Sequence, residues 1–393
     1  MSEETAADVV VIDNGTGSIK AGFSGEDAPR AVFPTVVGSA RTKAMQRTEV
    51  HESFVGSLAQ QKRDVLALSY PIKRGRVVDW DAMEKIWEWT IHSELGIDSE
   101  STALPVLMTE MPLLSRDDRQ RAAEIIFSKL HIPAYFAMNQ ATLSLFSSGR
   151  TRGLVIECGE GVSHTVPVFE GFALQHASLR LGIAGQDITQ RLQQLLVARR
   201  VVPRDTQLET SRQIKETLGS VAPSARDGPD GESAEAFELP DGHIVQVPLA
   251  ACSDAFEMLF EPETLGEDRI AALKREAQAL GPTLFAHSAS SGLCQAAVDS
   301  VTMCDADLQT DLYGTVVLAG GTTVANGFAE RVARELSSLA PAGTRVNVYP
   351  DSQRKYAAWI GGSMLGSLPT FAQMRIMRNE YEEDANVVHR RAL

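Results

Sequence analysis

Val9-Val10-Val11-Ile12-Asp13-Asn14-Gly15-Thr16-Gly17-Ser18-Ile19-Lys20-Ala21-Gly22-Phe23 is the stretch from which the rest of the chain is read. Its β-branched run reads as a buried strand. Asn14-Gly15 is the strongest short-range hairpin signal, and the chain then resumes as a second strand. The tip carries one carboxylate, two glycines and a hydroxyl. Glycines let successive amides turn toward one point, a nest for an anion. Asp13, at a strand end, is placed to meet a hydrated divalent cation. Most Asn-Gly hairpins are only turns, so one copy says little.

A second copy changes that. Gly153-Leu154-Val155-Ile156-Glu157-Cys158-Gly159-Glu160-Gly161-Val162-Ser163-His164-Thr165-Val166-Pro167-Val168-Phe169 repeats the design: apolar strand, acid, two glycines one apart, and a strand ending on an aromatic. Two ordinary hairpins could coincide, but acid, spacing and flanking strands all match. The pattern βββαβα, met twice, predicts an α/β fold of two related halves with mixed sheets around one ligand.

The other segments fit that frame. Phe33 to Gly38 reads as a strand and Ser39 to Glu52 as a polar loop. Trp80 to Leu95 reads as a helix with Met83, Ile86, Trp87 and Ile91 on one face. Leu104 to Thr109 is a strand, and Ser115 caps a helix running to about Leu130. Phe136 to Ser147 reads as a helix carrying Asn139 and Gln140, followed by helices at Gly185–Arg199 and Ser211–Leu218. Pro223 to Ala234 is a flexible link. Glu238 to Val247 is an Asp-Gly hairpin. Gly314 to Ala319 is a strand feeding Gly320-Gly321-Thr322-Thr323 and a helix from about Gly327 to Ser337, a third candidate ligand loop.

With 393 residues, 44% of them hydrophobic, the chain can bury a large core in two or more domains. Lys plus Arg number 37 against 51 acidic residues, a net charge of -14, which argues against a general nucleic-acid binder. Cys158, Cys252, Cys294 and Cys304 form no Cys-x-x-Cys pair and read as reduced, intracellular thiols. The N-terminal MSEETAAD has no apolar targeting core, and no apolar run approaches the roughly 20 residues that cross a bilayer. The expectation is a soluble protein of the cytoplasm or nucleus.

The residues also carry a family resemblance. Ile12 to Gly17, Lys20-Ala21-Gly22-Phe23 and Asp27 to Pro34 closely resemble the start of actin. So do Met83-Glu84-Lys85-Ile86-Trp87, Gly149-Arg150-Thr151, Gly159 to Val162, Glu238-Leu239-Pro240-Asp241-Gly242 and Gly320 to Thr323. Arg354-Lys355-Tyr356, Trp359 to Ser363 and Val388-His389-Arg390-Arg391 complete a colinear match over almost the whole chain. The chain is similar to the actin and actin-related family, and its departures favour a divergent actin-related protein.

The resemblance implies an actin-like ATPase fold, two α/β halves in four subdomains around a nucleotide cleft. Residues 1–32, 72–147 and 357–393 would form the first subdomain and 33–71 the second. Residues 148–183 and 267–356 would form the third, and 184–266 the fourth. It implies ATP or ADP with Mg²⁺, bound by the two hairpins, Asp13, Gly15, Thr16, Gly17 and Ser18 in one and Glu157, Gly159, Glu160, Gly161 and Val162 in the other. Lys20 matches a phosphate-contacting lysine. Gly185, Gly320 and Thr322 join the nucleotide set. Arg212, Lys215 and Glu216 match contacts to base and ribose, and Gly321 and Lys355 the adenine pocket. Asp13 and Glu157 would hold the metal through water. Gln140 matches a glutamine that orients attacking water, and His164 the histidine beside it. Hydrolysis of this kind needs positioned water and charge neutralisation more than a strong base. Read without the family, Gln140 and His164 would be satisfied polar residues of a buried helix and strand. A partner cleft is implied at Phe146, Thr151, Ile360, Met364, Leu365 and Met374, of a kind that takes amphipathic partner helices.

Glu157 and Glu160 stand where the family usually has aspartates, and each extra methylene moves a carboxylate by roughly 1.5 Å. Cys158 replaces a serine, and a thiol is the poorer donor. Ala325 replaces an aromatic that flanks adenine. The expectation is nucleotide binding with, at most, slow ATPase activity. The loop Ser39–Glu52 shares little with its actin counterpart, and Lys73 and Arg74 replace an acid and a modified histidine. Glu267 to Ser288 is an insertion whose Ile270, Leu273, Ala277 and Leu280 fall at helical spacing before Gly281-Pro282. It reads equally as a solvent-facing surface helix or as a partner-docking helix that blocks self-assembly. The expected role is a subunit of a larger assembly: a dynein-associated or axonemal complex, dynactin or a chromatin remodeller. The expected place is therefore the cytoplasm and cytoskeleton, including the ciliary axoneme, with the nucleus as the alternative. The alternatives are a divergent filament-forming actin and a sugar-kinase-like enzyme on the same superfamily fold, the latter opposed by the match over actin-specific surfaces.

Overall fold

The computed structural model describes residues 8–40, 53–97, 104–204, 206–224, 233–266, 270–272, 275 and 292–391. Most of the loop 39–52 and of the insertion 267–288, including Leu273, Ala277 and Leu280, and most of the link 223–234 lie outside them. The chain forms two compact units, Met1–Arg150 with Tyr356–Leu393, and Thr151–Lys355.

The first unit is built on β1 (Val10–Asn14), β2 (Ser18–Phe23), β3 (Ala31–Pro34), β4 (Val106–Glu110) and β5 (Ala134–Asn139). They lie in the order β3-β2-β1-β4-β5, with the short strand Ile376–Met377 beside β5. The hairpin strands pair antiparallel, whereas β4 runs parallel to both β1 and β5. β1 and β5 are buried along almost their whole length, as expected of strands covered on both faces. Helices α1 (Trp80–Trp89), α2 (Arg116–Glu124) and α3 (Gln140–Ser147) flank the sheet. The helix Ala357–Gly366 packs on α3 so closely that a Cβ on Gly361 would stand 1.9 Å from the Leu143 carbonyl oxygen.

The second unit repeats this order. Its strands are β6 (Gly153–Cys158), β7 (Ser163–Phe169), β8 (Phe172–Ala173), β9 (Val316–Ala319) and β10 (Val348–Tyr349), arranged β8-β7-β6-β9-β10. β7 is antiparallel to β6, and β9 is parallel to β6 and β10. Leu179–Leu181 pairs with the other edge of β7. Helices α4 (Gly185–Ala198), α5 (Leu208–Leu218), α6 (Leu249–Phe260) and α7 (Phe328–Leu339) belong to this unit. Each unit closes its own hydrophobic core. No helix among the described residues is long and apolar enough to cross a membrane.

Three local expectations are corrected. Phe33 to Gly38 is not one strand: β3 ends at Pro34, and Val37–Ala40 joins a separate sheet with Phe54–Val55 and Leu66–Ser69. Between them Thr35 turns its hydroxyl onto the Gly15 carbonyl at 2.7 Å, and Pro34 has no N–H for a ladder. Phe136 to Ser147 is not one helix, because residues 134–139 form β5 and the helix starts at Gln140, capped by the Asn139 side chain. That strand is buried throughout, so apolar periodicity cannot separate it from a buried helix. Trp80 to Leu95 and the helix after Ser115 each turn from α to π before their last residues, at Thr90–Glu94 and Ile125–Lys129.

Candidate nucleotide-binding site

Parallel strands end together, so side chains at their carboxyl ends are brought into one place. In the first unit these are Asp13 from β1, Thr109 from β4 and Gln140, the first residue after β5. Asp13 is only 4% exposed. Its Oδ1 accepts from the Thr109 hydroxyl at 2.8 Å and from Gln140 Nε2 at 3.1 Å. Its Oδ2 accepts from Lys20 Nζ at 2.9 Å, from the residue directly opposite on β2. Gln140 Nε2 also reaches the Thr109 oxygen at 3.1 Å, so its amide is turned onto the carboxylate. The Trp87 indole of α1 donates to Asn14 Oδ1 at 2.9 Å and fixes the strand end.

The connection over the tip is longer than the Asn14-Gly15 turn predicts. Asn14 still pairs with Ile19, and Gly15 has no positive φ of the kind a two-residue hairpin turn demands. Gly15 is required for space instead, since a Cβ there would stand 2.5 Å from the Ser18 carbonyl oxygen. The Thr16 hydroxyl accepts from the Gly75 N–H at 3.1 Å. Among the described residues the N–H groups of Gly15, Thr16 and Gly17 donate to no backbone carbonyl.

The tip of the second unit has the same property at Glu160, Gly161 and Val162, while Gly159 N–H closes onto the Val162 carbonyl at 3.0 Å. Two further loops dock on it. The Gly185 and Gln186 amides at the start of α4 donate to the carbonyls of Gly159 and Glu160, and the Thr322 hydroxyl donates to Gly159 at 2.8 Å. A Cβ on Gly185 would stand 2.7 Å from both Glu160 Oε2 and Thr322 Oγ1. Gly320, at φ +89°, would place a Cβ 2.3 Å from the Cys158 carbonyl oxygen. Lys215 is buried on α5 and donates to the Gly185 carbonyl at 2.8 Å, with Glu160 at 3.4 Å. Lys355 stands beside Gly321.

Glu157, His164 and Arg180 form a row across three neighbouring strands, each facing the next in register. His164 is 1% exposed, and neither ring nitrogen has a hydrogen-bond partner among the described residues. Burial first, and Arg180 second, hold its imidazole in the neutral form well below the usual range. Burial also pushes the Cys158 thiol up to about 12, with Glu157 adding to the effect and the Ser163 hydrogen bond opposing it. Cys158 is therefore an inert core group. Arg212 pairs along its own helix with Glu209 and Glu216 at 2.9 Å each.

Of the other sequence-derived residues, Phe146, Ile360 and Met374 pack half-buried on the core cluster that contains Leu365, and Met364 stands exposed. Thr151 belongs to the other unit. Thr109 is the member of the Asp13 cluster that the sequence did not single out. Its place follows from the pairing of Val106–Glu110 with Val10–Asn14, which the sequence alone does not show.

These features fit a nucleotide and its cation. Unengaged amides at two glycine tips suit phosphate oxygens. Among the described residues no three His, Cys, Asp or Glu side chains gather as a metal cage. Mg²⁺ is commonly held by one or two carboxylates, water and substrate phosphates rather than by such a cage. The model of the protein family described as Actin matches residues 4–393 of this chain.

Proposed function

The chain belongs to the actin family, and from that premise we propose that it is an ATP-binding, actin-related structural subunit of a larger cytoskeletal or motor-associated assembly. The observation that carries the nucleotide part is the buried Asp13, bonded to Lys20, Thr109 and Gln140 beneath a tip of unengaged amides. In this reading ATP or ADP is held by Asp13, the 15–18 tip and Lys20 of one unit. Glu157, the 159–162 tip, Gly185, Lys215 and the 320–322 loop of the other unit complete the set. Asp13 and Glu157 hold Mg²⁺ through water, and the bound ion neutralises phosphate charge. Lys20 adds a positive charge beside the first tip. Gln140 and the neutral His164 offer polar atoms for orienting a water, while Glu157, Glu160 and Cys158 depart from the family's usual residues, so the chain is at most a slow ATPase. The four-subdomain division and the partner groove at Phe146, Thr151, Ile360, Met364, Leu365 and Met374 belong to the same proposal.

The structural-subunit part rests on sequence departures: the loop 39–52, Lys73 with Arg74, and the segment 267–288. The assemblies that suit it are a dynein-associated or axonemal complex, dynactin or a chromatin remodeller, reached through protein partners and not through nucleic acid or membrane. Two measurements on purified full-length protein decide the reading. Denaturing extraction and chromatography should release adenine nucleotide, and an empty extract refutes the binding claim. Sedimentation in ATP, Mg²⁺ and salt should leave the protein in the supernatant, whereas a filament pellet favours a divergent polymerising actin.

A further inference from the structure

Among the described residues the Thr109 hydroxyl proton has one acceptor, Asp13 Oδ1. The hydroxyl has one proton and two lone pairs. The Asn14 backbone N–H donates to it at 3.1 Å, and Gln140 Nε2, which also reaches Asp13 Oδ1 at 3.1 Å and the Asn14 carbonyl at 3.4 Å, adds a shared N–H at 3.1 Å. Its proton is then left for Asp13 Oδ1 at 2.8 Å. One side chain, 4% exposed, thereby sets the rotation of the Asp13 carboxylate, the direction of the Gln140 amide and the end of β1. With Gln140 Nε2 directed at Asp13 and Thr109, its Oε1 is the atom left to accept a hydrogen bond. The β-branched Thr109 side chain is itself stiff about χ1, which keeps the hydroxyl aimed.

We propose that Thr109 is a positioning residue of the nucleotide site. It locks Asp13 and Gln140 into one unit, so that the carboxylate is already oriented for the cation–phosphate group before ligand arrives. This rests on the nucleotide reading above. Thr109 does not touch the nucleotide and acts through Asp13.

The test compares Thr109→Val, which keeps shape and loses the hydroxyl, with Thr109→Ser, which keeps the hydroxyl. Binding of etheno-ATP is measured by fluorescence with MgCl₂ and again with EDTA. In Mg²⁺, T109V should weaken binding by about 5- to 10-fold, the cost of ordering a carboxylate that the hydroxyl no longer holds, and T109S by less than about twofold. In EDTA the T109V deficit should shrink to within about twofold, because the carboxylate then has no cation to meet. An equal deficit with and without Mg²⁺, or none at all, overturns the proposal. A second measurement needs no nucleotide: the Gln140 side-chain amide in protein labelled with ¹⁵N-glutamine. T109V should shift that resonance and speed its exchange with water, and T109S should leave it in place. An unmoved resonance in T109V also overturns the proposal. Failure of wild-type protein to bind etheno-ATP refutes the nucleotide reading, and the resonance then decides the role of Thr109 alone.

Discussion

His164 shows how burial in the second unit tunes a single residue. The ring is buried with Arg180 facing it in register, so the folded state keeps it neutral while the unfolded chain protonates near the ordinary value of 6.5. Its folded pKa is depressed, so its contribution to stability is present above pH 6.5 and is lost as pH falls below it. Between pH 7.5 and 5.5 this one group should remove about 1.4 kcal/mol. Gln at position 164 cannot take up the proton. Urea unfolding of His164→Gln should therefore lose about 1.4 kcal/mol less than wild type over that range, and equal losses would rule out a neutral buried ring. Asp13 and Lys20 were legible from the glycine hairpin itself, whereas Gln140 and His164, with no charge or glycine beside them, were singled out only through the resemblance to actin. Thr109 was legible in neither way, since a threonine at the end of a strand is ordinary until the neighbouring strand is known to end in Asp13.

At the scale of elements, two helix ends make a controlled comparison. After the π turn of each, an N–H six residues on closes the end: Ile97 to Ile91 at 3.0 Å, and Ile132 to Ile126 at 3.1 Å. The residue between takes a left-handed conformation, Gly96 at φ +66° in one and His131 at φ +55° in the other. This is a Schellman-like end widened by one residue, following the π turn, and glycine at its left-handed position carries no Cβ penalty. His131 is exposed, so its side chain contributes little packing to offset the strain. His131→Gly should stabilise the protein by about 0.5–1 kcal/mol in urea unfolding, and Gly96→Ala should cost about 1 kcal/mol. Nothing lies within 4 Å of a Cβ on Gly96, so its cost reads backbone conformation alone. The hairpins and most helices were legible from apolar patterning and turn residues. The strand Ala134–Asn139, buried on both faces, and the break at Thr35 were not. One lacks a polar face, and the other depends on a hydroxyl finding the Gly15 carbonyl from a distant part of the sequence.

At the scale of the whole molecule, the twofold βββαβα reading is recovered in β3-β2-β1-β4-β5 and β8-β7-β6-β9-β10, each of which carries a fifth strand that the four-strand pattern lacks. What the pattern could not reveal is how each unit secures its helices, because that depends on buried charge placed by tertiary contacts. In the second unit Arg331 of α7 is 2% exposed. It grips Glu257 of α6 through two hydrogen bonds of 2.9 and 3.0 Å, pairs with Glu335, and donates to the Ala222 carbonyl at 2.9 Å. Its guanidinium also lies over the Phe260 ring at 4.6 Å. Arg331→Met would keep most of the apolar volume but leave two partly buried carboxylates, Glu257 and Glu335, without their cation, at a cost of about 3 kcal/mol, the low end for a broken buried pair. If the cost comes from uncompensated charge rather than lost packing, removing the main carboxylate must relieve it. Arg331→Met with Glu257→Leu should therefore regain at least about half of the loss, since apolar replacement of a buried pair is often near neutral. Far-UV circular dichroism in urea is the suitable readout, because Trp80, Trp87, Trp89 and Trp359 all lie in the other unit. A double variant no more stable than Arg331→Met would show that Arg331 holds the helices by shape and not by charge.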